Sequence, residues 1–419
     1  MKKRLLLAGV LGIGAGLGIA ARAQGPVEIE FWTWYLSPNF DGYIGSVIKD
    51  FEAANPDIKV KAVDKQDTME RDLAASVSLG KAPDVVNLWQ DSTFAAAQNG
   101  ILEPLAGLVK PEDIKAGYYD QMVNYFTVDS KLYGLPWYGW LDQGVMMYNP
   151  DLLRKTGITK LPKTLSELYV LSAAIKRKTG AYGVLPSVKD PNGASFLGQF
   201  VLDGLPIYGA NGKAVFNSPK HAALLGMFVR MMKEDIIPQE LLRKEAFQLS
   251  NELYSQGKVA IIVGAPSSLN RVKEANLELY KKTKIAEAPL GKAGIQTGGA
   301  MSLVIPAASK NKPQAALFAQ FMTNRANQVK FANVVPIVCT AKGCENDPGL
   351  KAKSDDPLEI GKGMVSSGGR FINPGFKPPK NTDDVYKNFN DNIEAAFLGK
   401  KTATQALNDA VKFWNANAK

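Results

Sequence analysis

What most restricts the fold of this chain is a strand-then-helix alternation that runs from Val27 to Gly100. Val27, Ile29 and Phe31 alternate with Glu28 and Glu30, the period of a strand with one buried face. Ile44, Val47, Ile48 and Phe51 then fall at i, i+3, i+4 and i+7, one face of a helix, which Asn55-Pro56 stops. Ile58 to Val63 reads as a second strand, and Asp67 with Glu70 three residues on resembles a capping box opening a second helix. Asp84 to Trp89 is the third strand, and a third helix from Ser92 to Asn99 ends at Gly100. Strands that alternate with helices must pair in parallel through right-handed crossovers, so the chain opens with a doubly wound α/β unit.

In such sheets ligands sit beyond the carboxyl ends of the strands. The residues there are aromatic and polar: Trp32, Trp34 and Tyr35 after the first strand, Gln66 and Asp67 after the second, Trp89, Gln90 and Asp91 after the third. Core packing explains a tryptophan equally well, and helix capping explains Asp67 and Asp91. The segment Tyr133-Gly134-Leu135-Pro136-Trp137-Tyr138-Gly139-Trp140-Leu141-Asp142-Gln143 is richer still. Aromatic faces there can stack on a pyranose while carboxylate and amide oxygens accept from its hydroxyls, a pairing suited to a neutral polyhydroxylated ligand. Gly134 and Gly139 around Pro136 also suit a chain crossing between lobes.

Composition excludes several chemistries. A chain of 419 residues, 46% hydrophobic and 21% charged, has ample core material for two or three domains. One histidine, His221, and two cysteines, Cys339 and Cys344, starve zinc sites and histidine-based catalysis of side chains. Neither a metal nor a cofactor is expected. Lys2, Lys3 and Arg4, an uncharged stretch from Leu5 to Ala20, and Ala21-Arg22-Ala23 make a cleavable export signal over 1–23, leaving Gln24 as the first mature residue. No cysteine follows the apolar stretch to carry a lipid, so a free periplasmic protein is expected. Cleavage removes four basic residues and lowers the net charge from +10 to +6, thinly spread, and nucleic acid is not an expected partner. Cys339 and Cys344, separated by four residues, read as a small-loop disulfide in an oxidising compartment, worth about 2 kcal/mol.

Beyond these readings, ordered markers run through the whole mature chain. Phe51-Glu52-Ala53-Ala54-Asn55-Pro56-Asp57-Ile58-Lys59-Val60 resembles the helix-to-strand signature of the family 1 extracellular solute-binding proteins of ABC importers, which include maltose- and glycerol-phosphate-binding members. Gly80 to Val86, Gly100-Ile101-Leu102 with Pro104-Leu105, Leu132 to Trp137 with Tyr148-Asn149, Gly257 to Ala260, Gly298-Gly299 with Ser309-Lys310, and Gly399 to Ala410 follow in the family's order. Each marker alone is weak, and the ordered set is specific.

The resemblance implies a two-lobed venus-flytrap of the second periplasmic class, each lobe a doubly wound sheet flanked by helices, closing on ligand. It places one lobe at 24–140 plus 292–340 and the other at 141–291 plus 341–419, with crossovers near 138–142, 288–294 and 336–345. It implies a monomer that does not catalyse but delivers a solute, here a neutral sugar, to a membrane permease driven by a separate ATPase. By position it assigns binding to Trp34, Tyr35, Gln66, Asp67, Trp89, Gln90, Asp91, Trp137, Tyr138, Trp140, Asp142 and Gln143, to Gly264 through Ser267, to Gly298 and Gly299, and to Tyr386. Arg370, beside Gly368-Gly369 and ahead of Phe371, Pro374 and Phe376, reads either as a cleft guanidinium or as a surface residue. Glycerol phosphate or another anion is the alternative ligand, but it would call for basic strand ends. A secreted glycoside-processing enzyme is the other alternative, and it would need two carboxylates about 5 to 9.5 Å apart. Asp91 and Asp142 are the pair the chain offers. Tyr118-Tyr119 reads as helix packing, and His221 as an exposed residue without a site role.

Overall fold

The computed structural model describes residues 25–189, 195–351, 354–373, 375–376, 379 and 381–418. The expected export signal over 1–23 and Pro374 lie outside the described residues, as does the side chain of Asp67.

Twelve strands are described: β1 (Val27–Thr33), β2 (Ile58–Asp64), β3 (Val85–Trp89), β4 (Thr127–Val128), β5 (Lys131–Leu132), β6 (Gly134–Leu141), β7 (Val145–Tyr148), β8 (Ile261–Gly264), β9 (Lys284–Glu287), β10 (Gln296–Val304), β11 (Val338–Cys339) and β12 (Ile372–Asn373). The large sheet runs β11-β6-β10-β3-β1-β2, with β12 beside the start of β10. β1 pairs in parallel with β2 and with β3, as the opening alternation requires. β10 enters antiparallel between β3 and β6, which makes the sheet mixed. In the small sheet, β8-β7-β9, both pairings are antiparallel, so the parallel pattern of the opening unit does not extend to it.

The helix Asp41–Ala54 buries Tyr43, Ile44, Val47 and Phe51. These join Phe31, Trp137, Phe318 and Phe331 in the core of the large sheet, with Phe318 edge-on to Phe31 and Phe51 at 5.2 and 5.1 Å. The helix expected to open at an Asp67 and Glu70 capping box has Thr68 as its N-cap. A 3₁₀ turn, Gln66–Thr68, precedes the helix Met69–Ser78, and Glu70 instead accepts from the Ser92 hydroxyl. The second core gathers Phe196, Phe200, Phe228, Phe389 and Trp414 around the helices Pro219–Lys233, Thr382–Phe397 and Ala403–Asn417. The chain passes from the large sheet to the small one through 142–144 and returns between β9 and β10. At the first passage Gly144 has φ +53°, and a Cβ there would lie 2.3 Å from the Gly264 carbonyl oxygen, so only glycine fits.

Cys339 and Cys344 form a disulfide. Tyr118 and Tyr119 pack as expected, their hydroxyls on Thr323 and Glu345. His221 corrects its expectation: it is 1% exposed. Its Nδ1 lies 2.7 Å from the Ser218 hydroxyl, its Nε2 lies 3.1 Å from the Pro206 carbonyl, and the Phe200 ring stands edge-on at 4.8 Å. The helix that starts at Pro219 presents the ring inward, where hydrogen bonds make burial tolerable.

Candidate ligand cleft

Three indoles meet at the carboxyl ends of β1, β3 and β6. Trp34 follows β1, Trp89 ends β3 and Trp140 sits near the end of β6. Trp34 and Trp89 stand edge-on at 5.6 Å, and Trp89 and Trp140 at 6.4 Å. Strand pairing explains the arrangement. Trp89 lies opposite Met301 and Trp140 opposite Gly299, two residues apart on the intervening β10. At Gly299 a Cβ would lie 2.3 Å from Trp140 Cζ2, so the absent side chain is what lets the indole lie across β10. Trp89 and Trp140 are 47% and 39% exposed, an open aromatic surface of the kind that marks ligand sites. The buried Nε1–H of Trp34 has no acceptor among the described residues.

Beside this wall lies a cavity of about 630 Å³, lined by Asp142, Gln143, Thr297 and Gly298 from the lobe junction and by Tyr169, Gln199, Glu245, Phe376 and Tyr386 from the second lobe. Gln143 is locked in place: its Nε2 donates to Thr297 Oγ1 at 2.9 Å and its Oε1 accepts from Thr297 N at 2.8 Å. Asp142 is open to solvent yet has protein on most sides. Desolvation lifts its carboxyl above the ordinary range, partly offset by a hydrogen bond from Thr297. Desolvation raises the Asp91 carboxyl as well. Burial pushes the Tyr125 phenol up, and the charges of Asp91 and Asp142 add to it. Burial does the same to Tyr386, followed by Tyr208 and Asp91. These couplings put Asp91, Asp142, Tyr125 and Tyr386 in one electrostatic neighbourhood.

The expected site residues divide accordingly. Trp34, Trp89, Asp91, Trp140, Asp142, Gln143, Gly298, Gly299 and Tyr386 gather at this wall and cavity, with Gln90 Nε2 donating to the Tyr125 carbonyl at 3.2 Å. Tyr35 and Gln66 line neither this cavity nor the smaller one; both are exposed and have positive φ.

Trp137 does not belong there. It is fully buried, 5.8 Å from Phe331 and 6.0 Å from Phe31. The pairing of β6 with β10 jumps from Tyr138–Met301 to Pro136–Ser302, so Trp137 is the extra residue of a bulge that turns it into the core. Tyr138 likewise packs edge-on to Phe331 at 5.2 Å. Trp32 falls inside β1 and is buried. Gly264 is buried against Gly144, and Ser267 is an exposed helix-cap position; neither lines the cavity. Arg370 lines a different cavity of about 380 Å³, beside Glu345 and stacked on Phe371 at 4.6 Å. That cavity takes Leu141, Gly144 and Gln296 where the first takes Asp142, Gln143 and Thr297, so the crossover strands separate the two. Tyr125, Tyr169, Gln199, Glu245 and Thr297 escaped the sequence reading. Only Thr297, next to Gly298-Gly299, carried any local signal.

Two α/β lobes joined by crossing strands, with a half-open aromatic wall and a polar cavity at their junction, define the two-lobed binding-protein architecture. Residues 36–329 match the model of the bacterial extracellular solute-binding proteins, and the chain belongs to that family. It is 28% identical to the galactooligosaccharide-binding protein of Bacillus subtilis (strain 168) over 383 residues, covering 87% of this chain and 85% of that one. It is 25% identical to the maltodextrin-binding protein MdxE of the same strain over 438 residues, covering 100% and 98%. The solved structure of a cyclo/maltodextrin-binding protein complexed with maltotetraose superposes with a TM-score of 0.73 at 22% identity, covering 95% of this chain and 99% of that one.

Proposed function

We propose that this protein is the exported, monomeric solute-capturing component of an ABC importer, taking a neutral mono- or oligosaccharide between its lobes and delivering it to a membrane permease. The observation that carries this reading is the wall of Trp34, Trp89 and Trp140 beside a cavity whose charged lining residues are Asp142 and Glu245, with no lysine or arginine among the described residues that line it. Indole faces suit the apolar faces of sugar rings, and the carboxylate and amide oxygens suit their hydroxyls. An anionic solute such as glycerol phosphate would find no cation in that lining. The relatives are binding proteins, and the chain is read as one, with Asp91 and Asp142 accepting hydroxyls rather than cleaving a glycoside.

The lobes divide near 140/141 and 291/292. The last boundary lies beyond Leu350 rather than at 340, because Ala341, Cys344 and Leu350 pack in the core of the large sheet. Closure about these passages brings Tyr386 and Phe376 towards the indoles. The mature protein works in the periplasm after loss of residues 1–23.

A thermal-shift panel of mono-, di- and trisaccharides, polyols and glycerol phosphate tests the reading on protein refolded to strip bound sugar. A ligand at a hundredfold excess over Kd stabilises by about 2.7 kcal/mol. A shift with one neutral sugar series, abolished by Trp89→Ala, is expected. Shifts with anions alone would overturn the reading.

A further inference from the structure

Asp64 ends β2 and lines neither cavity. Its Oδ1 accepts from Thr33 Oγ1 at 2.7 Å and from the Leu36 backbone N–H at 3.0 Å, and its Oδ2 accepts from Gln66 Nε2. Thr33 and Leu36 bracket Trp34 and Tyr35, so one carboxylate at the end of β2 holds both ends of the short segment that follows β1. Tyr35 and Gln66 have φ of +55° and +47°, the left-handed region that non-glycine residues hold only when their surroundings impose it. Asp64 imposes it. The neighbouring cation is engaged elsewhere, since Lys65 reaches Asp72 at 3.5 Å and lies 3.9 Å over the Trp32 ring.

We propose that Asp64 is a positioning residue of the cleft, fixing Trp34 against Trp89 and turning Tyr35, 56% exposed, towards the ligand. It acts through those side chains without contacting the ligand, and the assignment rests on reading the tryptophan wall as a sugar site. Its physical basis is that a carboxylate accepting three neutral donors fixes their geometry more tightly than any one bond could.

The test combines ¹⁹F spectra of 5-fluorotryptophan-labelled protein with calorimetric titration of maltotriose and a galactotriose. Without sugar, Asp64→Ala should move the Trp34 resonance and leave those of Trp137 and Trp414 in place. Asp64→Asn, which keeps the acceptor for Thr33 and Leu36, should move it far less, and Thr33→Val serves if the alanine variant does not fold. With sugar, Asp64→Ala should weaken binding about tenfold and Asp64→Asn less than about threefold, and neither should weaken it further in a Trp34→Ala, Tyr35→Ala background. An unmoved Trp34 resonance in a folded alanine variant, or full additivity in that background, overturns the proposal. If the wild type binds no sugar, the sugar reading fails while the resonance still decides the role of Asp64.

Discussion

Replacing Gly299 by alanine would set a methyl group where the Trp140 indole now lies. The new carbon would stand 2.3 Å from Cζ2, 2.7 Å from Cη2 and 2.9 Å from Cε2. Carbon atoms rest at about 3.5 Å or more, so that edge of the ring must retreat by about 1.2 Å. Trp140 can retreat, because it is partly exposed at the cleft. Its centroid already lies 6.4 Å from that of Trp89, near the outer limit of about 7 Å for a favourable aromatic pair, so the retreat breaks the contact. Losing that pair and one sugar-stacking face at about 1 kcal/mol each comes to about 2 kcal/mol, or about thirtyfold in Kd. The fold should tolerate the change within a few degrees of Tm, since the displaced ring moves into open cleft rather than into the core. Calorimetric titration of Gly299→Ala, Trp140→Ala and the double variant is the assay. The double variant should bind no more weakly than Trp140→Ala alone. Additive losses would refute the idea that Gly299 acts by making room for the indole.

Trp137→Ala should cost about 3 to 5 kcal/mol of stability as a fully buried aromatic truncation, whereas Trp89→Ala should leave the unfolding midpoint nearly unchanged and abolish sugar binding. Denaturant unfolding beside titration separates the two. Burial holds the His221 imidazole below its ordinary pKa, so the native state resists the proton that the unfolded chain accepts. Stability is therefore full above about pH 6.5 and declines as pH falls below it, and His221→Gln should flatten the dependence of Tm on pH between about 7.5 and 5. Calorimetric or fluorescence melts at matched ionic strength show whether the slope depends on this residue. Asp91 and Asp142, raised by desolvation, should release sugar on acidification before an ordinary carboxylate would, and Asp142→Asn should remove part of that loss. Titrations across the acid range measure it.

Much of the fold was legible because its first unit uses local signals. The period-two pattern of β1, the i, i+3, i+4, i+7 face of Ile44, Val47, Ile48 and Phe51 and the stop at Asn55-Pro56 each report on a few neighbouring residues, and parallel pairing follows from their order. Antiparallel β10, inserted between β3 and β6 from far along the chain, has no local signal in the opening unit. The same limit separates the tryptophans. Trp137 and Trp140 sit in one aromatic-rich segment, and only the bulge where β6 meets β10 sends one to the core and the other to the cleft. Strand-end logic brings Trp34 and Trp89 to one edge of the sheet because it depends on topology alone. Tyr169 and Gln199 stayed hidden because their approach to Asp142 is set by how the second lobe packs, which no spacing in their own helices encodes. His221 was misread because turn composition predicts where a helix starts, not which face its first turn buries.

The most direct test of the account is a ¹⁹F spectrum of the mature protein carrying 5-fluorotryptophan at its six tryptophans, recorded before and after saturation with a galacto- or malto-oligosaccharide. Sugar should move the resonances of Trp34, Trp89 and Trp140 together and leave those of Trp32, Trp137 and Trp414 in place. Saturation that leaves the first three unmoved would contradict a sugar site on the tryptophan wall.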